Sequence, residues 1–330
     1  MKIIKAAPFD RYNFSDEHLS FIDKLFLRPK HEQFTFNQRM FDEDFARVFF
    51  SVSRRSGNLF SIESNNDEFT QRLFGNIKTR YGFHRIDETV HGLVEEIAQS
   101  LVWFGTAYYF LHDLSAGKEI CIRSFSAVGV SRVLNTYFQW VPRRREKHWS
   151  SDDEELTREL RVLDKAKLMH FSMPRSIRRM LSAQNRMLVA LDKHQYNGTR
   201  FYPKATHENP TPKNDFDFHV WKDTQDRALQ RATRETGWNG RVYDSSTRSD
   251  FFVCHRLIRF RRNQLTLRDY ILDQLGLEFT RVGRQYDAEF RIAISPTNVL
   301  PSADQLNDLG ARLSREEVSF TEVLDFCYGR

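Results

Sequence analysis

The sequence predicts an α+β chain with a helical N-terminal region, a β-rich middle and long helices toward the C-terminus. Three observations predict it. Residues 88–113, "ETVHGLVEEIAQSLVWFGTAYYFLHD", place Val90, Leu93, Val94, Ile97, Leu101 and Val102 at helical steps, then lose that period after Gly105 in an aromatic run typical of a strand. The segments 119–125, 130–141 and 167–173 are rich in β-branched and aromatic residues. Residues 175–196, 216–236 and 251–275 each carry an apolar stripe at helical spacing.

The elements follow in order. Ser15 is placed to cap a first helix carrying Leu19, Ile22 and Phe26, which stops before Pro29. Phe41, Phe45, Val48 and Phe49 mark a second helix. Asn66 or Asp67 opens a third with Phe69, Leu73, Phe74 and Ile77, followed by a turn at Gly82. A helix from Asp87 to Phe104 then meets Gly105, which is expected to permit a tight turn where a side chain would clash. The charged stretch 143–166 reads as a surface excursion with a short helix.

Pro174 ends the last middle strand and suits the first turn of helix 175–196. From Lys165 to Leu191 there are six lysines and arginines and no acid. Residues 197–215 contain three prolines and read as an extended excursion before the return helix 216–236. A polar, glycine-bearing break at 237–250 precedes helix 251–275, about 37 Å long at 1.5 Å per residue. Phe251, Ile258, Leu265 and Leu272 recur at steps of seven, and neighbouring apolar residues widen that stripe, so the helix is expected to pack between neighbours. A strand at 288–294 follows, and Ser302 with Gln305 and Ser314 with Glu317 open two final helices as capping boxes.

Composition bounds the function. The chain has 330 residues, 40% of them apolar, a mean hydropathy of −0.59 and a net charge of +6. That is enough for a substantial core and permits anionic partners. Cys121, Cys254 and Cys327 are too few and too scattered for a disulfide framework or a zinc site, so a reducing compartment is expected. No run approaches the roughly 18 apolar residues of a membrane helix, and no membrane partner is expected.

Catalytic signatures are missing. The sequence has neither GxGxxG nor GxxxxGK[ST], no HExxH, and no zinc-deaminase pattern. No lysine has an acid two residues before it, as many metal-dependent nucleases require, and the nearest approach to an HxxR is His219 with Lys222. His170 and His255 read as packing residues, and Asp152–Glu155 as a solvated loop before a helix. The expectation is therefore no catalytic residue, no metal and no cofactor. Basic clusters remain: 143–147, Arg175/Arg178/Arg179/Arg186, and Arg256/Arg259/Arg261/Arg262/Arg268. The last set spreads around its helix, which favours pairing with acids on neighbouring helices or chains over reading a groove.

The stretch "VEEIAQSLVWFGTAYYFL" resembles the helix–glycine–strand segment in the core of portal proteins of tailed bacteriophages, where a "(Y/F)G-x-A-Y" turn leads into the wing. The later order over residues 85–295 is also similar, and the chain resembles a short member of that family with a minimal clip and little room for a crown. The resemblance implies a portal-like α+β fold assembled as a homo-oligomeric ring, a dodecamer. It places the N-terminal helical part of the wing at 1–86 and the wing core at 87–174. Stem helices fall at 175–236 around a clip at 197–215, a tunnel loop at 237–250, and the long wing helix, strand and C-terminal helices at 251–330.

By the same resemblance, Gly105 is the structural turn, and Trp238, Asn239 and Arg241 face the ring axis and touch passing DNA; the residues themselves equally allow a plain helix–helix connection with Trp238 folded onto its own subunit. Arg175, Arg178, Arg179, Arg186 and Lys193 form a basic face of the first stem helix. Phe251, Ile258, Leu265 and Leu272 pack between subunits. The implied partners are double-stranded DNA, the packaging terminase, capsid protein and a neck or adaptor protein. The implied location is the portal vertex of the virion, after synthesis in the host cytoplasm. The competing expectations from other classes are a cytoplasmic DNA-processing enzyme with an unrecognised active site and a monomeric regulatory protein.

Overall fold

Two compact units account for the fold, each built from separate stretches of chain: Met1–Glu32, Ser53–Met173 and Arg268–Leu300 in the first, and Gln33–Val52, Pro174–Leu267 and Pro301–Arg330 in the second. The computed structural model describes residues 1–10, 19–27, 36–50, 57–79, 85–114, 119–148, 151–196, 218–241 and 249–328. The architecture is α+β.

The first unit holds the strands β1 (Lys2–Lys5), β2 (Phe60–Ser64), β3 (Ile77–Lys78), β4 (Thr106–Leu114), β5 (Glu119–Phe125), β6 (Val130–Val133), β7 (Thr136–Val141), β8 (Arg144–His148), β9 (Ser151–Leu156), β10 (Glu159–Leu163), β11 (Leu168–Ser172) and β12 (Ile292–Pro296). They form sheets ordered β1-β10-β7-β6 and β11-β4-β5-β3, with the pairs β12-β2 and β8-β9. The helices α1 (Phe21–Leu27), α3 (Asp67–Gly75) and α4 (Ile86–Phe104) belong to the same unit. The second unit is helical: α2 (Phe36–Phe45), α5 (Arg175–Tyr196), α6 (Phe218–Ala232), α8 (Ala303–Ser314) and α9 (Phe320–Tyr328). Helix α7 (Asp250–Gly283) contributes residues 250–267 to the second unit and 268–283 to the first.

The α4–β4 junction is built as its sequence reads. Val90, Leu93, Val94, Ile97 and Leu101 are buried, and the helix stops where Gly105 turns left-handed at φ 75° and donates its N–H to Leu101 O at 2.8 Å. A Cβ on Gly105 would meet nothing within 4 Å, so the expected clash is corrected: glycine is needed there for its positive φ alone. Strand β4 then runs antiparallel to both β5 and β11. Tyr108, Phe110, Phe125, Tyr137, Leu163 and Leu168 close a buried cluster, in which His170 stacks on Tyr108 at 5.1 Å.

Several other expectations are corrected. Arg144–His148, Ser151–Leu156 and Glu159–Leu163 form β8, β9 and β10 in place of the expected short helix, and Asp152–Glu155 lie in β9. Ser20, not Ser15, caps α1: its Oγ accepts from Asp23 N while Asp23 Oδ2 accepts from Ser20 N. Ser15 and Gly82 lie outside the described residues, as does the clip at 197–215. Ile77 leaves the helix to pair β3 with β5, and β1 and β2 are additional strands. The long helix runs eight residues past Leu275, because Gly276 lets its backbone lie against Ile292 O, where a Cβ would come to 3.2 Å. The strand after it starts at Ile292, since 287–290 fold as a turn. Ser302 and Gln305 form the expected capping box, but Ser314 ends α8, and Ser319 caps α9 by accepting from Glu322 N.

Candidate functional site

Two surfaces of the second unit carry the chemistry left in the sequence: one face of α5, and the region where α6, the turn after it and the start of α7 meet. On α5, Ile177, Leu181, Gln184, Leu188 and Asp192 point inward. Asp192 is held by Asn37, whose N and Nδ2 donate to its carboxylate at 3.1 and 2.5 Å. At about 100° per residue, Arg175, Arg178, Arg179, Arg186 and Lys193 fall within roughly 100° of arc on the opposite side. All five are exposed. A one-sided cationic stripe on a rigid helix is suited to a run of phosphates.

The second surface begins at Gly237, which has φ 82°; a Cβ there would collide with Arg256 O and lie 3.0 Å from Phe260 N. This close approach seats Trp238 inside the unit, 3% exposed, edge-on to Phe41 at 5.5 Å. Its Nε1 donates to Asp44 Oδ2 at 3.0 Å. Arg256, also buried, reaches the same place: Nη2 donates to Trp238 O and Thr233 Oγ1, both at 2.6 Å, and Nε donates to Asn239 Oδ1 at 2.6 Å. Arg241 closes the corner on Asp44 Oδ1 at 2.8 Å and Glu43 Oε2 at 3.0 Å. The Arg241 contact holds the Glu43 carboxyl below its ordinary range.

Trp238 thus folds onto its own unit, the alternative that its sequence surroundings allowed, while Arg241 remains exposed. Asn239 and Arg241 bond within the unit as well, Asn239 to Arg256, and Arg241 to Asp44 and Glu43. Residues 242–248 of the same loop lie outside the described residues. The packing assignment for α7 changes likewise. Ile258 and Leu265 are buried in the chain's own cluster with Leu306, Leu309, Leu313 and Val323, and Leu272 is buried in the first unit. Of the four residues expected between subunits, Phe251 is exposed, at 41%. Most arginines of α7 are structural too. Arg259 donates to Arg234 O, Arg261 lies 4.6 Å over the Phe50 ring, and buried Arg268 pairs with Asp269 at 2.7 Å.

Three features escaped the sequence. Gln264 is fully buried and turns its Nε2 to the carbonyls of Asp44 and Arg47, both at 2.8 Å, at the end of α2. Asp42 is buried with no hydrogen-bond partner for Oδ1 among the described residues. Burial, helped by the Glu43 charge, pushes its carboxyl up to about 7. The third is a cleft of about 420 Å³ between α6 and the start of α7, walled by arginines and phenylalanines. Among the described residues no group of three or more His, Cys, Asp or Glu is placed to hold a metal ion, and no helix is long and apolar enough to cross a membrane.

No protein-family model matches the chain, and no curated protein matches it. Among solved structures the chain is similar to one in the neck of an empty gene transfer agent particle computed with C6 symmetry. That pair has a TM-score of 0.45 and 11% identity over 86% of this chain and 89% of the other. It is also similar to a chain of the virion of a native gene transfer agent particle, with a TM-score of 0.39 and 11% identity over 87% and 93%. A third is in the neck of the native particle computed with C12 symmetry, with a TM-score of 0.33 and 11% identity over 93% and 99%.

Proposed function

We propose that the chain is a portal-type subunit of a phage-like particle. Copies assemble as a ring, a dodecamer, at one capsid vertex; double-stranded DNA passes through the bore, and the packaging terminase, capsid protein and a neck or adaptor protein dock on it. The observation that carries this reading is the order of elements along the chain. Helix α4 is closed by left-handed Gly105 into the aromatic strand β4, helices α5 and α6 flank residues 197–217, and the long α7 follows the 237–249 break. The subunit supplies scaffold and electrostatics, and the chemistry belongs to the motor that docks on it.

In this reading the DNA contact belongs to the exposed face of α5, not to Trp238 or Arg241. A ring through which DNA slides needs contacts that are weak and screened, and exposed arginines on one helix face meet that need. Replacing Arg178, Arg179, Arg186 and Lys193 with Gln should leave ring assembly and thermal stability unchanged while lowering the DNA content of particles carrying the variant. Particles filled to the wild-type level would contradict the DNA arm of the proposal.

A further inference from the structure

Helix α7 carries two differently charged neighbourhoods on opposite sides. On one side lies the cleft, where Arg227 and Arg231 of α6, and Arg234 of the turn after it, face Phe251, Phe252 and His255 of α7. The three arginines and His255 are exposed, and the phenylalanines are 41% and 39% exposed. The cleft is ordered from beneath. Arg256 lies 5.6 Å from the Phe252 ring while its guanidinium holds the carbonyls of Gln230 and Trp238, and Phe251 meets His255 edge-on at 5.7 Å. Its cationic, aromatic lining calls for an anionic occupant with an apolar component.

On the other side of α7, Cys254, Leu257, Ile258 and Leu265 pack with α8 and α9. At about 100° per residue this core-facing set is centred roughly 150° around the helix from Phe252, His255, Arg256 and Arg259. Residues 301–328 contain six carboxylates and two arginines. The arginines are engaged locally, Arg312 with Glu322 at 3.4 Å and Arg315 with Glu317 at 3.1 Å. Asp304, Asp308, Glu316 and Asp325 are exposed, as are the aromatic rings of Phe320 and Tyr328. The acidic surface thus matches the cleft in charge and in apolar content, yet it stands on the far side of α7 from it.

We infer that the cleft of one copy receives the acidic α8–α9 surface of the next copy. Such a contact is heterologous: every copy offers both halves, and repetition gives a ring where the rotation between copies closes and an open filament where it does not. The inference rests on the ring reading above and assigns one of the contacts that would build it.

The test is a charge swap read by light-scattering mass at low salt, with circular dichroism melting as the fold control. Arg227→Glu/Arg231→Glu/Arg234→Glu should melt as the wild type does but remain monomeric. Asp304→Lys/Asp308→Lys/Asp325→Lys should do the same. Mixing the two should restore a large assembly of alternating copies, because both contacts are then complementary again. Assembly of the arginine variant alone at the wild-type mass overturns the inference and leaves the ring standing. A monomeric arginine variant that the lysine variant does not rescue also overturns it, as does loss of nucleic-acid binding with assembly intact; the cleft then serves a different anion. A wild-type chain that is itself monomeric overturns the ring reading along with this one.

Discussion

Helices α5 and α7 are alike in sequence and opposite in use. Both are long, both carry an apolar stripe, and both are studded with arginine. On α5 the cations collect on one exposed face, and the inner face holds Ile177, Leu181 and Leu188. On α7 the arginines are distributed around the helix, and Arg256, Arg261 and Arg268 are drawn into carbonyls, a ring face and a carboxylate of their own chain. A basic cluster is therefore not one kind of signal. Its angular spread decides whether it is a surface for phosphates or part of the scaffold. When the cations fall within a third of a turn they can stay solvated together; when they encircle the helix, several must enter the interior and find partners there.

The largest expected effect sharpens this contrast from the apolar side. Ile258→Asp with Leu265→Asp places two carboxylates in the cluster formed with α8 and α9. The cost should exceed about 5 kcal/mol, enough to unfold the second unit rather than release folded monomers. A soluble monomer with native circular dichroism would break the assignment of these residues to the chain's own core.

Next is Asp42, on the helix that α5 packs against. Its carboxyl ionises near 7 in the folded chain, against an ordinary value of 3.8 in the unfolded one. Between about pH 4 and 7 the folded state therefore binds the extra proton, and stability falls as pH rises through that window. Above 7 the full cost is present, on the order of 4 kcal/mol. Asp42→Asn should raise the melting temperature at pH 8 and flatten the dependence between pH 5 and 8. A variant with the wild-type slope would remove Asp42 as its cause.

The smallest effects compare the two arginine sets directly. Arg256→Met should cost about 2–4 kcal/mol, because it removes the Arg256 donors from the Trp238 and Gln230 carbonyls, Thr233 Oγ1 and Asn239 Oδ1, and leaves Trp238 O with Thr233 Oγ1 alone. Arg179→Met on the exposed face of α5 should change stability by no more than about 0.5 kcal/mol. Equal losses in chemical denaturation would erase the distinction between the helices.

What could be read from the sequence follows the range of the interactions involved. The α4–Gly105–β4 junction and the bounds of α5 are local: an apolar period interrupted by a glycine or preceded by a proline. Strands β1 and β3 are too short to show a period, and charge-rich β8 and β9 lack the apolar alternation that marks a half-buried strand. The place of Trp238 was beyond local reading. Its partner Asp44 lies 194 residues away, and glycines around a tryptophan look the same whether it folds inward or faces a channel. The steps of seven along α7 revealed burial but not what does the burying, since Leu306 and Leu309 come from a later helix of the same chain.

The most direct measurement of the central claim is the mass and shape of the purified wild-type protein at near-physiological salt, by light scattering together with negative-stain imaging. The account predicts a large closed ring with a central channel, its mass a whole multiple of the 39.2 kDa chain consistent with twelve copies. A protein that stays a monomer or dimer at every concentration, with no rings in the images, would contradict it.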